Sequence, residues 1–143
     1  MHRQQSRYIE FPKISDLRGS LTFAEGKSTV PFSIKRIYYI YDIPDRNTKR
    51  GGHAHKDVQE IIIPIAGRFE IICDNGFEKV HFRMDRCNSG LYIPELVWTE
   101  LSNFSEGAIC LVLSSKYYDE ANYIRKRADF IKEIKKMEKE NKK

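Results

Sequence analysis

Residues 59–73 read QEIIIPIAGRFEIIC, and this stretch decides the fold class. Two runs rich in isoleucine and phenylalanine flank Ala66-Gly67-Arg68, where the glycine favours a turn. Apolar runs of this length, bounded by a turn signal, are typical of buried β-strands. The short separation predicts a hairpin loop between the two strands.

Further strand signals lie on both sides of this stretch. Residues 33–43 read SIKRIYYIYDI between two prolines, residues 77–84 roughly alternate, and residues 90–101 and 108–114 are apolar. Asp74-Asn75-Gly76 predicts a second reversal, because Asn and Gly tolerate positive φ. So many short strands separated by turns predict an all-β sandwich or barrel.

The periodicity changes after Ser115. Apolar residues recur at helical spacing over 119–143, and they are Ile124, Phe130, Ile131, Ile134 and Met137. We therefore predict a single domain over 1–143, with a β-barrel at 1–117 and a helical tail at 118–143.

Composition excludes several classes of protein. The 143 residues are 41% hydrophobic, which is enough for a core and excludes a disordered chain. Neither a run of about 20 apolar residues nor a secretory signal is recognisable, so we expect no membrane span and a cytoplasmic location. Cys73, Cys87 and Cys110 are odd in number and widely spaced, which predicts reduced thiols.

The net charge of +5 belongs to the tail. Residues 125–143 contain nine Lys or Arg and four acidic residues, so the remainder of the chain is neutral. Acidic residues are interleaved with the lysines, and no aromatic residue follows Phe130, which is typical of a solvated helix face. Nucleic-acid binding is therefore not expected.

The candidate chemistry lies in residues 50–56, RGGHAHK. In a strand, the period of two places His53 and His55 on one face, together with Asp57 or Gln59. Two buried imidazoles each require hydrogen-bond partners, which makes them expensive in a purely structural core. Histidine commonly serves as a proton-transfer group or a metal ligand, so the pair predicts a site.

The pair also resembles the first half of the cupin metal signature, in which Glu60 would be the next ligand. Strand parity counted from His55 argues against this, because position 60 points away and position 59 is Gln, a poor ligand. In the second half of the signature, Leu96 and Thr99 occupy the Gly and His positions. A catalytic metal usually needs three protein ligands. We therefore predict a cupin-like barrel with no metal and no cofactor.

Two imidazoles without a metal suit general acid–base catalysis near neutral pH. Arg36 shares a face with Tyr38 in its predicted strand, and Arg50 precedes the histidines. Guanidinium groups suit phosphate oxygens, and the aromatic surface of Tyr38 and Trp98 suits a base or sugar ring. These residue types indicate a phosphorylated, nucleotide-linked substrate.

With these motifs in order, the chain from about Asp16 to Phe130 resembles the sugar 3,4-ketoisomerases that act on dTDP-4-keto-6-deoxyglucose. The resemblance is carried by residues 18–21 (RGSL), 31–40 (PFSIKRIYYI), 50–56, 90–93 (GLYI) with Trp98, 118–120 (YDE) and 123–125 (YIR). It implies an all-β cupin or jelly-roll barrel with a C-terminal helix. It also implies a metal-free and cofactor-free isomerase of deoxysugar biosynthesis that moves a carbonyl from C4 to C3 through an enediol-like intermediate.

The residue types and the resemblance together assign roles to seven residues. His53 and His55 would be the acid–base groups, with His55 favoured as principal base although the sequence does not order them. The substrate-binding residues would be Arg18, Arg36, Tyr38, Arg50 and Trp98. The family resemblance also implies a homodimer with exchanged N-terminal strands, in which Arg18 completes the partner's pocket.

Other readings stay open. A dTDP-sugar 3,5-epimerase needs a different His and Tyr arrangement, and a non-catalytic sugar-nucleotide-binding cupin would bind without turnover. A metal-dependent cupin oxygenase is disfavoured by Gln59 and Thr99. Gly52 stands where some relatives carry a bulkier residue at the floor of the sugar pocket, and Thr99 stands where some carry His, which leaves the configuration at C4 open. The preferred nucleotide and the role of the basic tail also stay open.

Overall fold

A computed structural model describes residues 3–142; Met1, His2 and Lys143, which belong to the predicted domain and tail, lie outside them. The β-strands are β1 (Arg7–Glu10), β2 (Lys13–Asp16), β3 (Gly19–Thr22), β4 (Arg36–Ile40), β5 (Arg50–His55), β6 (Glu60–Ala66), β7 (Phe69–Asp74), β8 (Lys79–Met84), β9 (Ser89–Ile93), β10 (Trp98–Ser102), β11 (Ile109–Ser114) and β12 (Tyr123–Ile124). A 3-10 turn covers Glu120–Asn122, and one helix, α1, covers Arg127–Asn141. The predicted all-β class with a C-terminal helix is confirmed.

Two five-stranded antiparallel sheets form the barrel, in the orders β1-β9-β6-β11-β4 and β12-β5-β10-β7-β8, and β2 and β3 form a separate hairpin. The core lies between the inner faces of the two sheets because alternate apolar side chains point inward. It includes Ile62, Phe69, Ile71, Leu91, Leu101, Cys110 and Val112. All three cysteines are free thiols, as predicted.

The connection at Ala66-Gly67-Arg68 is not a hairpin, so that prediction is wrong. β6 pairs with β9 and β11, whereas β7 pairs with β8 and β10, and the chain crosses from one sheet to the other at this point. Gly67 has φ +68° and lies against Ser105 and Ala108, where a side chain would not fit. A sheet crossing and a hairpin use the same turn residues, so local sequence does not separate them.

The second predicted reversal is correct, because β7 and β8 pair over their whole length around Asp74-Asn75-Gly76. Asp74 and Asn75 accept backbone hydrogen bonds from the turn through their side-chain oxygens.

The C-terminal helix begins later than predicted, at Arg127 instead of about residue 119. Asp119 caps the 3-10 turn by accepting a hydrogen bond from Ala121, and Tyr123–Ile124 then pair with β5, so this segment completes the second sheet. Phe130 and Ile134 of α1 are buried against the outer face of that sheet. Within residues 3–142, no helix is long and apolar enough to cross a membrane.

Candidate active site

The two histidines lie side by side on the inner face of β5. Ala54 is packed on the opposite face, against α1, so alternation along the strand directs His53 and His55 into the barrel. Their ring centroids are 4.9 Å apart. The predicted shared face is therefore confirmed for the pair. Because β5 ends at His55, Asp57 and Gln59 do not continue that face, and Gln59 instead accepts a hydrogen bond from the Tyr92 hydroxyl.

Tyr123 forms one wall of the histidine pair. β12 pairs Tyr123 with His55, and its ring lies 4.4 Å from the His55 ring and 5.1 Å from the His53 ring. The Arg125 guanidinium lies 4.4 Å from the centre of the same tyrosine ring and forms a bidentate ion pair with Glu120. Neither Tyr123 nor Arg125 had a predicted role in the site, because a two-residue strand leaves no periodic signal, although residues 123–125 form one of the motifs that carry the family resemblance.

A cavity of about 430 Å³ opens beside His53. Four cationic side chains line it, namely Arg36, Lys49, Arg50 and Arg125, together with Tyr38, Glu60, Thr99 and Tyr123. A larger cavity of about 620 Å³ lies among the loops at 43–46 and 103–106, and neither His53 nor His55 lines it. The smaller cavity is the candidate site because it combines the His53 imidazole with a surplus of positive charge.

The prediction that Arg36 and Tyr38 share a face is confirmed. Both line the cavity, and the Arg36 guanidinium lies 5.0 Å from the centre of the Tyr38 ring and 5.3 Å from that of Tyr118. Nε of Arg36 is buried and has no hydrogen-bond partner within the described chain. Such a donor beside a cavity is suited to an anionic ligand.

Glu60 lies in the site, contrary to the parity argument. The expectation failed because residues 56–59 form a corner between the two sheets, so that His55 and Glu60 face each other from opposite sheets instead of following one strand. Oε1 of Glu60 lies 3.5 Å from Nδ1 of His55, and Oε2 accepts a 2.7 Å hydrogen bond from the Tyr38 hydroxyl. A lone carboxylate at the start of an isoleucine run was the sequence signal for this position.

Two predicted substrate-binding residues lie elsewhere in this chain. Trp98 is buried on the outer face of β10, 5.8 Å from the Phe130 ring, while its neighbour Thr99 pairs with His53 and lines the cavity. Alternation along β10 explains the difference. Arg18 lies in the turn between β2 and β3, with a 90% exposed side chain that pairs with Asp16.

Burial keeps both imidazoles neutral at physiological pH. Desolvation lowers the pKa of His53, and Arg125 adds to the effect. The same cause, reinforced by His53 and then by Arg36, lowers the pKa of His55 to about 3. Burial, reinforced by Glu60, raises the pKa of the Tyr38 phenol, which therefore keeps its proton. The site thus holds two neutral bases and a neutral hydroxyl donor.

In residues 3–142, no three His, Cys, Asp or Glu side chains are grouped so that they could hold a metal ion.

Comparison with known proteins gives consistent matches over nearly the whole chain. Residues 4–135 match the family described as FdtA, WxcM-like, C-terminal. The chain is 40% identical over 133 residues to the TDP-4-oxo-6-deoxy-alpha-D-glucose-3,4-oxoisomerase of Aneurinibacillus thermoaerophilus, covering 93% of this chain and 95% of that protein.

Solved structures agree with these sequence matches. A histidine-to-asparagine variant of the 3,4-ketoisomerase QdtA from Thermoanaerobacterium thermosaccharolyticum, in complex with TDP-4-keto-6-deoxyglucose, superposes with a TM-score of 0.90 at 39% identity, covering 94% of this chain and 97% of that one. The WlaRB TDP-quinovose 3,4-ketoisomerase of Campylobacter jejuni superposes with a TM-score of 0.85 at 42% identity, covering 89% and 97%. The barrel is therefore of the predicted cupin-like type.

Proposed function

Because the chain belongs to the FdtA (WxcM-like, C-terminal) family, we propose that it is a dTDP-sugar 3,4-ketoisomerase of deoxysugar biosynthesis. The substrate class is a thymidine-diphosphate-linked 4-keto-6-deoxyhexose, which becomes the 3-keto isomer. Relatives about 40% identical over more than nine-tenths of the chain support this activity. The observation that carries it is the pair of neutral imidazoles beside a cavity rich in arginine.

The reaction requires two proton movements that leave the atoms balanced. One proton leaves C3 and another is added at C4, while the hydroxyl proton moves from the oxygen on C3 to the oxygen on C4. A base removes the C3 proton, and hydrogen-bond donors stabilise the resulting enediolate. His53 and His55 are the proposed acid–base groups, and the Tyr38 hydroxyl is the proposed donor.

The position of the two imidazoles supports His53 as the one nearer the sugar. His53 lines the cavity, whereas His55 is 6% exposed and lies deeper, against Glu60. This ordering reverses the preference for His55 as principal base, and we propose it in place of that preference.

The cavity cations supply the proposed diphosphate site. Arg36, Lys49 and Arg50 lie around the opening, and Arg36 has an unused buried donor among the described residues. A guanidinium fork suits phosphate oxygens, and the positive field attracts a dianionic substrate.

The proposed assembly is a homodimer with exchanged N-terminal hairpins. The β2–β3 hairpin exposes Ile14, Leu17 and Leu21, and β4, at the edge of the first sheet, exposes Ile37 and Tyr39. An unpaired sheet edge and an unpacked apolar hairpin suit each other. A second copy's hairpin docked along β4 would bring Arg18 towards the cavity of its partner.

Incubation with dTDP-4-keto-6-deoxyglucose in deuterated water, followed by NMR, tests the activity. The ketoisomerase predicts a 3-keto product with deuterium at C4, and the signal at C4 also reports the configuration. Deuterium at C3 and C5 with the ketone still at C4 would show an epimerase instead. An unchanged sugar that nevertheless binds would show a non-catalytic cupin.

Complementation tests the exchange. His53→Asn and Arg18→Ala are expected to be inactive or strongly impaired alone, with both variants dimeric by sedimentation velocity. After mixing and subunit exchange, a heterodimer has one site with both native residues if Arg18 acts on the partner. Activity should then recover to about a quarter of the wild-type level, because half of the dimers are mixed and each holds one intact site. No recovery would contradict the exchange.

A further inference from the structure

Glu60 is a carboxyl group where an apolar side chain would be expected. It is the first residue of β6, it is 5% exposed, and the three residues that follow it, Ile61, Ile62 and Ile63, are buried. Removing a carboxylate from water is unfavourable unless other groups compensate. The neighbours that face it are Arg36 and Tyr38 from β4, His55 from β5 and Cys110 from β11.

The two oxygens of Glu60 contact two different groups of the site. Oε2 accepts a 2.7 Å hydrogen bond from the Tyr38 hydroxyl, and Oε1 faces Nδ1 of His55 at 3.5 Å. The second distance is long for a hydrogen bond, but such contacts in enzymes often tighten when substrate binds. One side chain thus connects the proposed hydroxyl donor with one of the proposed imidazoles.

A carboxylate beside Nδ1 determines where a neutral imidazole carries its proton. The proton is held on Nδ1, and Nε2 is left as an acceptor with its lone pair free. Nε2 of His55 is buried and lacks a hydrogen-bond partner among residues 3–142. It is therefore the atom of this ring that is available to receive a proton.

We propose that Glu60 is a positioning residue for the isomerisation, because it holds the Tyr38 hydroxyl with one oxygen and the Nδ1 proton of His55 with the other. This inference rests on the proposed function. It explains the buried carboxyl: Glu60 fixes the position of the Tyr38 hydroxyl, whose single proton turns from Glu60 to the substrate oxygen as negative charge develops there, and it keeps Nε2 of His55 as a proton acceptor.

The protonation of Glu60 supports a pH signature. Burial raises its pKa to about 7, against the opposing effects of the Tyr38 hydroxyl and Arg36. Only the ionised carboxylate can accept from both Tyr38 and Nδ1. Activity should therefore rise as the pH increases through about 7, whereas the histidines, whose pKa values are lowered, are already neutral there.

Steady-state kinetics of Glu60→Gln test the role. We expect kcat to fall about 10- to 100-fold, as for other carboxylates that orient a functional histidine. The KM for the keto-sugar should stay within about 2-fold of the wild-type value. The acid limb of the kcat profile near pH 7 should move to lower pH, and Glu60→Asp should recover part of the rate. Glu78→Gln, in the exposed β7–β8 turn, is the matched control and should leave kcat and the pH profile unchanged.

Nitrogen-15 NMR of the histidine rings gives a readout that can be made on the wild-type protein itself. In the wild-type protein at pH 8, His55 should carry its proton on Nδ1, and this preference should weaken in Glu60→Gln. A wild-type His55 protonated on Nε2 would overturn the inference, as would a folded Glu60→Gln variant with wild-type kcat and pH profile. If the wild-type protein does not isomerise the sugar, the proposed function fails, while the ring tautomer still reports on Glu60.

Discussion

Replacing Glu60 with Gln should make the protein more stable at high pH and leave its stability nearly unchanged at low pH. The substitution keeps the shape of the side chain and its capacity to accept from Tyr38, but it removes the buried ionisable group. The prediction separates the effect of this carboxyl on stability from its effect on catalysis.

The magnitude follows from the pKa of Glu60, which burial raises from 4.5 to about 7. Below pH 4.5 the carboxyl is protonated in both the folded and the unfolded state, so its ionisation does not lower the free energy of unfolding. As the pH rises from 4.5 to 7, the carboxyl ionises in the unfolded chain, where it is hydrated, but stays protonated in the folded protein, so the unfolded chain is favoured. Above about pH 7 the carboxyl is ionised in both states and the difference stays constant. The free energy of unfolding of the wild type should fall relative to that of the variant by about 3 kcal/mol at pH 8.

Differential scanning calorimetry at pH 5, 6.5 and 8 and constant ionic strength measures this difference. At pH 8 the Tm of Glu60→Gln should exceed that of the wild type by roughly 6–12 °C, and the gap should narrow markedly at pH 5. His53 and His55 are present in both proteins, so most of their contribution cancels in the comparison. A Tm difference that is independent of pH, or a variant less stable at pH 8, would refute the assignment of a buried, ionising carboxyl.

Three further predictions concern the site, the core and the metal independence of the reaction. His53→Asn and His55→Asn should each lower kcat by about 100-fold or more with unchanged circular dichroism, and a wild-type rate in either variant would remove that residue from the mechanism. Phe130→Ala should lower the free energy of unfolding by about 3–5 kcal/mol in urea titrations, whereas Ile131→Ala on the more exposed side of α1 should cost less than about 1 kcal/mol. Dialysis against a chelator should leave kcat unchanged, with residual metal measured by mass spectrometry, and a loss restored by one metal ion would contradict the metal-free reaction.

Local sequence patterns were sufficient to predict where a residue lies when its surroundings depend only on its own strand, helix or turn. The alternation around His53 and His55 correctly placed both rings on one face, and the same rule correctly placed Arg36 beside Tyr38. The Asp74-Asn75-Gly76 turn was predictable because its side chains bond to backbone groups two or three residues away.

Predictions failed where the chain passes from one sheet to the other. Gly67 turns the chain between sheets instead of within a hairpin, and the corner at 56–59 turns Glu60 back towards His55. Side chains alternate between the two faces only along an uninterrupted strand. The alternation counted from His55 therefore does not predict the direction of Glu60 beyond the corner at 56–59. Trp98 was assigned to the substrate, but the helix that covers its face of β10 buries it instead.

The amino-acid order alone thus determined the β class of the chain, its terminal helix and the paired imidazoles, since these depend on periodicities of two and 3.6 residues that are visible within a short segment. Which groups surround the imidazoles was decided only by the closing of two sheets around a common interior. Glu60 comes within reach of His55 from the start of β6, and Tyr123 and Arg125 come within reach of His53 from a second segment, residues 123–125. Both approaches depend on packing between elements whose positions no local repeat encodes.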